Sequence, residues 1–477
     1  MRYGEGGGRF LFLAEAMAVS DAIQSDVGVI GLDDIGRNVV LRLAEHQFNV
    51  TAMDWRRPMT HALHEQTTGM RVRLAGNVAE LMASLRQPRM ILIFSSRDVP
   101  MNFVLDQLLP VLERGDVMMD AGDSFFQDTT RHDGQLAERG VQFLGIGLAG
   151  GEQGARQGAI VMAGGAREAR QRARPLLEAL AATMRGEPCV SYFETAAATH
   201  FVKMVHTGVE NALLQSLAET FDLLQRALQL TDEELHDAVG AWHIGFLKGY
   251  LMEISGRAVE SADQQTLRML LDEKLKSAKN DALGSWAAQS AMELEVHAPT
   301  LEAAARTQRV MATERRQTLL AAPFRQPVGR FGDDPESVLE ELRGAFEAAM
   351  VITYAQAIAL LAAASENLGF QFHLHEISRA WRGCTRLRTA LLDDITAALK
   401  TTPGLPGLLS DEDLSERVMA CQENLRHAIW RADEFDTPVP VLLASLDYLD
   451  SNREAWLPVN LIQVPRWQPA RAGAQVR

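Results

Sequence analysis

The sequence predicts an α/β N-terminal domain followed by a large all-α C-terminal domain. Residues 27 to about 200 alternate short β-rich runs with helical patterns, which is typical of a parallel sheet with helices on both faces. From Ala196 the β pattern fades, and long helical patterns continue to about Asp450. The predicted segments are an N-terminal extension at 1–26, the α/β domain at 27–197, the helical domain at 198–460 and a shortened tail at 461–477.

Short apolar runs mark the strands of the first domain. The predicted strands are Val27–Ile30, Asn49–Met53, Met90–Phe94, Val117–Asp120 and Val141–Leu144, and the first helix is expected over Arg37–His46. Proline and glycine clusters mark breaks between the helices of the second domain. These breaks are Pro323–Pro327 with Gly329–Pro335, and Thr401–Gly407.

Two stretches of the sequence are apolar enough to be considered as a membrane span or a signal peptide. Ala348–Ala364 is alanine-rich and only 17 residues long, which favours a buried helix of a soluble protein over a membrane span. The stretch from Met1 to Asp26 is glycine-rich and then apolar, with Glu15 interrupting the apolar run. We interpret it as an extension and not as a signal peptide.

Composition limits the partners that the chain is expected to bind. The net charge of -15 argues against nucleic acid or an anionic membrane as the main partner, although a local basic site could still take a small anion. The three cysteines, Cys189, Cys384 and Cys421, are odd in number and far apart. This spacing predicts neither a disulfide framework nor a metal site, and it indicates a cytoplasmic protein.

A glycine-containing turn joins the first strand to the first helix and predicts a Rossmann-type dinucleotide site. Gly31 allows the tight turn, Gly36 lets the helix pack close to the strand, and the helix N-terminus would hold a pyrophosphate. Asp33 stands where this motif has a small residue. Like charges ~4 Å apart at an effective dielectric near 20 repel by about 4 kcal/mol before screening. An ordinary β–α turn that binds no ligand is the alternative.

The end of the second strand bears on the choice of nucleotide. Asp54 lies 18 residues after Gly36, where an acid normally bonds a ribose 2′-hydroxyl and favours NAD. Arg56 and Arg57 follow and could instead meet the 2′-phosphate of NADP. A solvated loop without a ligand is the third possibility, so NAD and NADP both stay open.

A helical stretch after the first domain carries the candidate catalytic groups. Lys203, His206, Thr207 and Glu210 have the spacing i, i+3, i+4 and i+7, which puts them on one face of a helix. Apolar residues fill the other faces, so the helix is expected to be buried. Burial shifts the pKa of ionisable groups toward neutrality, where a lysine and a glutamate can accept and donate protons. A buried Lys–Glu pair with a purely structural role is the alternative.

Taken together, these residues resemble the 6-phosphogluconate dehydrogenase family from about Val27 to Gln463. Gly145-Ile-Gly-Leu-Ala-Gly-Gly-Glu-Gln-Gly-Ala-Arg156 looks like the family's substrate loop, and His200-Phe-Val-Lys-Met-Val-His-Thr-Gly-Val-Glu210 looks like its catalytic helix. Further matches are Asp120-Ala-Gly-Asp-Ser124 with Asp128-Thr-Thr-Arg131, Tyr354-Ala-Gln356, Trp381-Arg-Gly383 and Trp456-Leu-Pro-Val-Asn-Leu-Ile-Gln463.

The resemblance implies a homodimer whose C-terminal tail reaches toward the partner subunit. It implies oxidative decarboxylation of 6-phosphogluconate to ribulose 5-phosphate, as in the pentose phosphate pathway, with NADP as hydride acceptor and no metal. In that scheme Lys203 takes the proton of the C3 hydroxyl and later returns one to the carbonyl. Glu210 protonates C1 of the enediol, His206 orients the substrate, and Gly150 and Gly151 bring the backbone close to it.

The chain departs from the family at the substrate and phosphate sites. Asp123 stands where the family has an asparagine, and the other substrate-loop and helix changes are Ala149 for serine, Thr207 for asparagine and Asn211 for tyrosine. At the phosphate grip Asp281 replaces a lysine and Leu283 a threonine, whereas Arg309 keeps the arginine. The tail lacks the family's arginine and histidine pair.

The cofactor side departs as well. Besides Asp33, Trp55 stands where the family has the arginine for the 2′-phosphate, and Ser95 replaces a lysine. Each lost charged contact to a phosphate removes ~1.5–3 kcal/mol. Two hypotheses follow: a dehydrogenase of this family with weak activity or an altered substrate, and a non-catalytic homologue with a structural or regulatory role, in other words a pseudoenzyme.

Overall fold

The computed structural model describes residues 24–228, 282–311, 334–383 and 389–453, with the isolated positions 230, 234, 242 and 247. This part of the chain forms two compact units. The first runs up to Lys203 and the second from Met204 onward, apart from Gly383, which belongs to the first. The predicted extension up to residue 23, the break at 323–333 and the tail at 461–477 lie outside the described residues.

The first unit contains an eight-stranded sheet and a separate two-stranded ribbon. The strands are β1 (Val27–Ile30), β2 (Val50–Met53), β3 (Val72–Leu74), β4 (Met90–Ile93), β5 (Val117–Asp120), β6 (Gln142–Ala149), β7 (Ile160–Gly165), β8 (Thr183–Met184), β9 (Glu187–Pro188) and β10 (Val190–Phe193). The sheet order is β10-β7-β6-β5-β4-β1-β2-β3, and β8 pairs with β9. The chain order reverses between β1 and β4, which creates a crevice at their carboxyl ends where nucleotides bind in such sheets.

The sheet is not wholly parallel. Six pairings are parallel, as the sequence predicts, but β6 and β7 pair antiparallel, with Leu144 opposite Gly165 and Ala149 opposite Ile160. Between them lies only a short helix and its turns, which return the chain in the opposite direction. The sequence prediction did not include β3, β7 and β10, because short or glycine-containing runs give a weak alternation signal.

Helices cover both faces of the sheet. They are α1 (Asp34–Glu45), α2 (Arg57–Gln66), α3 (Val78–Ser84), α4 (Met101–Leu108), α5 (Phe126–Ala137), α6 (Gly151–Gln157) and α7 (Arg167–Leu180). Alternate strand residues point to opposite faces. Val29 packs in one core with α1 and α7, whereas its neighbour Ile30 packs in the other core with α3 and α4. The predicted α/β Rossmann-type fold is therefore confirmed.

The helix α8 (Ala196–Leu228) begins in the first unit and continues into the second. The described helices of the second unit are α9 (Leu283–Glu293), α10 (Pro299–Met311), α11 (Pro335–Asn367), α12 (Leu374–Trp381), α13 (Leu391–Thr401), α14 (Glu412–Glu434) and α15 (Pro440–Arg453). Leu408–Ser410 forms a short 3₁₀ turn. The all-helical character predicted for this part of the chain is confirmed.

The most apolar stretch of the sequence lies in α11. Asp334 caps this helix by accepting a hydrogen bond from Ser337 N, and Pro335 occupies its first turn. Although α11 is long and apolar enough to cross a membrane, 78% of its most apolar window is buried inside the protein. Burial of this extent is typical of the core helix of a soluble protein.

A buried carboxylate joins two helices of the second unit. Glu219 of α8 is 3% exposed and lies at the N-terminus of α15. Its two oxygens accept hydrogen bonds from Val441 N at 3.1 Å and Leu442 N at 3.0 Å, and Gln215 donates to it at 3.0 Å. The positive end of a helix favours such a carboxylate. Burial nevertheless dominates and raises the pKa of Glu219 from 4.5 to about 7.

This shift makes the stability of the second unit depend on pH. Because the pKa of Glu219 is raised on folding, its contribution is fully present below about pH 4.5 and is lost as pH rises through about 7. Across this pH window we expect the free energy of unfolding of the wild-type protein to fall by roughly 3 kcal/mol relative to that of Glu219→Gln. Urea unfolding near pH 5 and near pH 8 measures the difference. Glu366→Gln, an exposed site on α11, is the matched control, and equal pH dependence in wild type and Glu219→Gln would contradict the assignment.

Candidate active site

Glycines of the sheet allow α8 to approach it closely. A Cβ atom on Gly145 of β6 would lie 2.3 Å from the carbonyl oxygen of Ala196, the first residue of the helix. A Cβ atom on Gly147 would lie 3.3 Å from Cβ of Lys203. Gly145 and Gly147 are two residues apart and therefore share one face of the strand. Their missing side chains bring the start of α8, and with it Lys203, directly onto β6.

Lys203 is buried and paired with an acid. Its residue exposure is 8%. Its Nζ donates to Gly122 O at 3.2 Å and lies 2.6 Å from Asp123 Oδ1. The Lys203 ammonium holds the pKa of the Asp123 carboxyl below its usual range. The side chain of Asp123 is 66% exposed, so this carboxylate connects a buried amine with solvent.

The loop that follows β5 is folded by its own first residue. Asp120 accepts hydrogen bonds from Gly122 N at 2.9 Å and from the Ser124 hydroxyl at 2.6 Å. Gly122 is tightly packed, because a Cβ atom there would lie 1.9 Å from Ser95 Oγ. These contacts fix the carbonyl of Gly122 and the side chain of Asp123 against Lys203.

His200 of α8 is hydrogen-bonded to the start of the loop that follows β5. Its Nε2 donates to Asp120 O at 3.2 Å, and its Nδ1 lies 2.6 Å from the hydroxyl of Thr129. Complete burial lowers the pKa of His200, so the ring is neutral. With Nε2 donating, Nδ1 must accept the Thr129 proton. His200 therefore has one tautomer and joins β5, α5 and α8 one turn before Lys203.

The predicted substrate loop follows β6. Ala149 ends the strand, and Gly150 and Gly151 adopt φ angles of +129° and +61°. A Cβ atom on Gly150 would also lie 3.0 Å from Cα of Gly154 in α6. Glycine is required here by both the backbone angle and the close packing.

The other candidate groups of α8 belong to the second unit. His206 is 1% exposed, and its ring meets that of Trp381 edge to face with centroids 5.4 Å apart. Trp381, also 1% exposed, anchors this turn of the helix. Thr207 and Glu210 are half-buried on the face that the spacing predicts.

The predicted phosphate residues lie near the start of α9. Arg309 of α10 donates from Nε to the Ser285 hydroxyl at 3.0 Å. Asn211 of α8 packs against Gly284, where a Cβ atom would lie 2.5 Å from its amide nitrogen. Leu283 is buried. Asp281 lies outside the described residues, so its predicted role stays a prediction.

The glycine turn after β1 has the backbone that a dinucleotide fold requires. Gly31 has φ +91°, and a Cβ atom there would lie 2.2 Å from Phe94 O. A Cβ atom on Gly36 would lie 1.9 Å from Gly31 O. The turn, the close helix and the crevice between β1 and β4 thus fit a bound nucleotide.

Asp33 uses one of the amides that would receive a phosphate. It is the N-cap of α1, and its Oδ1 accepts from Gly36 N at 3.0 Å. Asp34 adds a second acid in the first turn of the helix. An incoming pyrophosphate would have to displace the Asp33 carboxylate from this amide. An acid just before a helix is a common N-cap signal, so this role could have been predicted.

Asp54 and Arg56 form a compact ion pair at the end of β2. Asp54 accepts from Leu32 N at 2.7 Å, and Arg56 donates to both of its oxygens, with Nη2 to Oδ2 at 2.9 Å. The Arg56 hydrogen bond is the main interaction that lowers the pKa of the buried Asp54, against a desolvation effect that opposes it. Both carboxylate oxygens of Asp54 thus already accept hydrogen bonds, and the neighbouring Arg56 side chain is 29% exposed.

The described part of the first unit therefore holds three groups of predicted residues. They are the nucleotide turn with Gly31, Asp33, Gly36, Asp54 and Arg56, the substrate loop with Ala149, Gly150 and Gly151, and the Lys203–Asp123 pair. The sequence prediction did not include His200 or Thr129 in the site, because their role depends on contacts between distant elements. In the part of the chain that the structure describes, no group of three or more His, Cys, Asp or Glu residues could hold a metal ion.

Comparisons with known proteins point to one family. A model of the NAD binding domain of 6-phosphogluconate dehydrogenase matches residues 26–193. A model of the 6-phosphogluconate dehydrogenase C-terminal domain matches residues 199–467. The two matches together cover most of the chain.

Curated relatives and a solved structure agree with these matches. The chain is 35% identical over 447 residues to the NADP(+)-dependent, decarboxylating 6-phosphogluconate dehydrogenase of Bacillus subtilis, covering 93% of this chain and 95% of the relative. It is 33% identical over 453 residues to the decarboxylating enzyme of Escherichia coli, with coverage of 93% and 95%. The 6-phosphogluconate dehydrogenase of Plasmodium falciparum, solved with NADP+ and with 6-phosphogluconate, has a TM-score of 0.84 at 27% identity and covers 94% of this chain and 98% of its own.

The hydrogen bond between Thr129 and His200 is testable by itself. We expect Thr129→Val to lower the free energy of unfolding by about 1–3 kcal/mol, because the buried Nδ1 of His200 loses its donor. Chemical denaturation measures this loss. The neighbouring Thr130→Val, at an exposed position of the same helix, should cost less than about 0.5 kcal/mol. Equal effects of the two variants would show that His200 does not depend on Thr129.

Proposed function

This chain belongs to the 6-phosphogluconate dehydrogenase family, and from that premise we propose that it is a nicotinamide-dependent dehydrogenase of a 3-hydroxy sugar acid. The observation that carries the proposal is the position of Lys203. A buried lysine is fixed by β6, by Gly122 O and by Asp123, on the same helix as His206 and Glu210. This arrangement supplies a base, an orienting group and an acid along one helix face.

The residues that would hold the cofactor lie in the crevice between β1 and β4. Gly31 and Gly36 give the close backbone, and Arg56 is the cation next to Asp54. Both oxygens of Asp54 already accept hydrogen bonds, so this acid is less available to bind the ribose 2′-hydroxyl of NAD. Arg56 is a cation that suits the 2′-phosphate of NADP, and we therefore favour NADP as the cofactor. When bound, the nicotinamide ring accepts a hydride from the substrate. The proposed site needs no metal.

The chain's own groups move the protons. In the neutral form, Lys203 takes the proton of the C3 hydroxyl while the carbon loses its hydride. Lys203 then returns the proton to the carbonyl oxygen as the 3-keto acid loses CO2. Glu210 protonates C1 of the resulting enediol, and His206, held by Trp381, orients the substrate. Gly150 and Gly151 allow the substrate to approach the backbone.

The substrate itself is less constrained. Arg309, held by Ser285, is a cation for a phosphate, which supports 6-phosphogluconate. Asp123 and Asp281 are negative where the family has neutral or positive groups. We therefore propose weak activity on 6-phosphogluconate, or better activity on a 3-hydroxy acid without the phosphate. The protein is proposed to be a cytoplasmic homodimer, with a small anionic sugar acid as its ligand and neither nucleic acid nor membrane as a partner.

A non-catalytic role is the second candidate. The observation that favours it is the 2.6 Å contact between Lys203 and Asp123, which engages the amine in an ion pair within the chain itself. The cap that Asp33 forms at the nucleotide turn points the same way. In this case the fold and the dimer would serve a structural or regulatory purpose.

Formation of reduced nicotinamide, followed by absorbance with 6-phosphogluconate or gluconate and each oxidised cofactor, tests the proposal. We expect turnover with NADP that Lys203→Ala lowers by roughly 10²- to 10⁴-fold. Lys400→Ala, at an exposed position of α13, is the matched control and should keep the wild-type rate. A rate that Lys203→Ala leaves intact would come from a contaminating host enzyme. The absence of both turnover and cofactor binding would favour the non-catalytic role.

Asp33→Gly tests the nucleotide turn. Removing the carboxylate leaves Gly36 N available to the pyrophosphate and takes away a repulsive negative charge. We therefore expect NADP to bind about tenfold more tightly. Glycine is a tolerated N-cap, so stability should fall by only about a few tenths of a kcal/mol. Titration calorimetry and thermal unfolding measure both effects. Asn77→Gly removes the equivalent cap of α3 and should change stability alone. Unchanged affinity in Asp33→Gly would place the pyrophosphate elsewhere.

A further inference from the structure

The substrate loop is carried by the short helix α6, which has little stability of its own. Gly150 is the N-cap of this helix and Gly151 is its first residue, so the position of α6 determines where both glycines lie. The helix has 7 residues, and Gly151 and Gly154 are two of them. Helices this short are marginal in water, and interior glycines lower their stability further. Contacts with other elements must therefore hold α6 in place.

The apolar contact that α6 makes is small. Its buried residues are Gly154 and Ala155, and Ala155 lies in the same apolar core as Leu43 of α1. Such small side chains bury little apolar surface. The connections to the strands are glycines as well, since Gly150 follows β6 with φ +129° and Gly158 precedes β7 with φ +131°. Packing and chain connectivity thus constrain α6 only weakly.

An ion pair joins the outer side of α6 to the end of α1. Nη1 of Arg156 donates to one carboxylate oxygen of Glu45 at 2.5 Å, and Nη2 donates to the other oxygen. Two parallel hydrogen bonds of this kind fix direction as well as distance. The side chains of Arg156 and Glu45 are 38% and 45% exposed, so water and salt reach the pair.

Glu45 is placed unfavourably for α1 itself. It is the last residue of this helix, and a carboxylate is disfavoured at the negative end of a helix dipole. Arg42, one turn earlier, is engaged elsewhere, because it donates to Ala179 O at 2.7 Å and to Ala181 O at 2.9 Å. Arg156 lies in the last turn of α6, where a cation is favoured, and it binds both oxygens of Glu45. The contact with α6 therefore explains the position of this acid.

We propose that Arg156 and Glu45 are positioning residues that order the substrate loop against α1, and that the order of this loop depends on ionic strength. They act on Gly150 and Gly151 through α6, and neither charged side chain has to touch the substrate. An exposed pair contributes modestly to stability, and salt screens it. The proposal rests on the proposed function, since it concerns the loop to which we assign the substrate.

Hydrogen–deuterium exchange of the ligand-free protein, followed by mass spectrometry of the peptide Gly150–Gly158, tests this without cofactor or substrate. We expect Arg156→Gln and Glu45→Gln each to raise the exchange rate about threefold, which is within the range for exposed ion pairs. The double variant should exchange no faster than either single variant, because both changes break the same contact. Glu178→Gln, which breaks an exposed ion pair with Arg174 inside α7, is the matched control and should leave this rate unchanged.

Salt provides an independent comparison. At ~1 M ionic strength the Debye length is about 3 Å, so the exposed pair is largely screened. We expect the wild-type exchange rate of this peptide to rise about threefold between low and high salt. The rate in Arg156→Gln should not respond, because this variant has no ion pair to screen. An equal salt response in the two proteins would overturn the proposal.

Steady-state kinetics with 6-phosphogluconate and NADP gives the functional readout. We expect Arg156→Gln to raise the KM for the sugar acid about threefold and to retain kcat, because substrate binding then has to order the loop. Unchanged exchange in both single variants, additive effects in the double variant, or faster exchange with an unchanged KM would each overturn the proposal. Faster, non-additive exchange with no turnover in any protein would support the role of the pair in ordering the loop while refuting the proposed function.

Discussion

The close approach of α8 to β6 is the constraint on which the rest of the site depends. Gly145 and Gly147 leave no side chain between the strand and the helix, so the first turns of α8 lie against the sheet backbone. The backbone position of Lys203 follows from this contact, and the loop after β5 then holds its amine. A side chain at Gly145 would displace the start of the helix, because a Cβ atom there would lie 2.3 Å from Ala196 O. At Gly147 a Cβ atom would lie 3.2 Å from Met162 Cβ and 3.3 Å from Lys203 Cβ, so a smaller shift of these side chains would be needed.

Burial of Lys203 then determines the chemistry of its surroundings. A buried ammonium needs a hydrogen-bond acceptor and a counter-charge. The loop after β5 provides both, through the carbonyl of Gly122 and the carboxylate of Asp123. His200 and Asp120 determine the shape of that loop, so a neutral buried histidine supports a charged pair that it does not touch. Hydrogen bonds from His200 and Lys203 thus join the first turns of α8 to this loop.

Much of this architecture could be predicted from the sequence. Alternating strand and helix patterns predicted the fold class, and the spacing of apolar residues predicted a buried α8 with its candidate groups on one face. The antiparallel pairing of β6 with β7 could not be predicted, because a period-two pattern carries no strand direction. The partner of Lys203 was also beyond the sequence, since Asp123 is 80 residues away and its contact depends on how Asp120 folds the loop. Asp33 is different, because an N-cap acid is a local signal.

The ion pair also affects how a ligand reaches the site from a distance. An isolated lysine at the mouth of a binding site attracts anions over about a Debye length, and that attraction weakens as salt is added. Lys203 and Asp123 together carry no net charge, and the more exposed of the two is negative. An approaching anion therefore gains no long-range electrostatic steering from this pair. Long-range attraction or repulsion of an anion is therefore determined by the other charges of the chain, whose net value is -15, and the ion pair contributes only short-range contact.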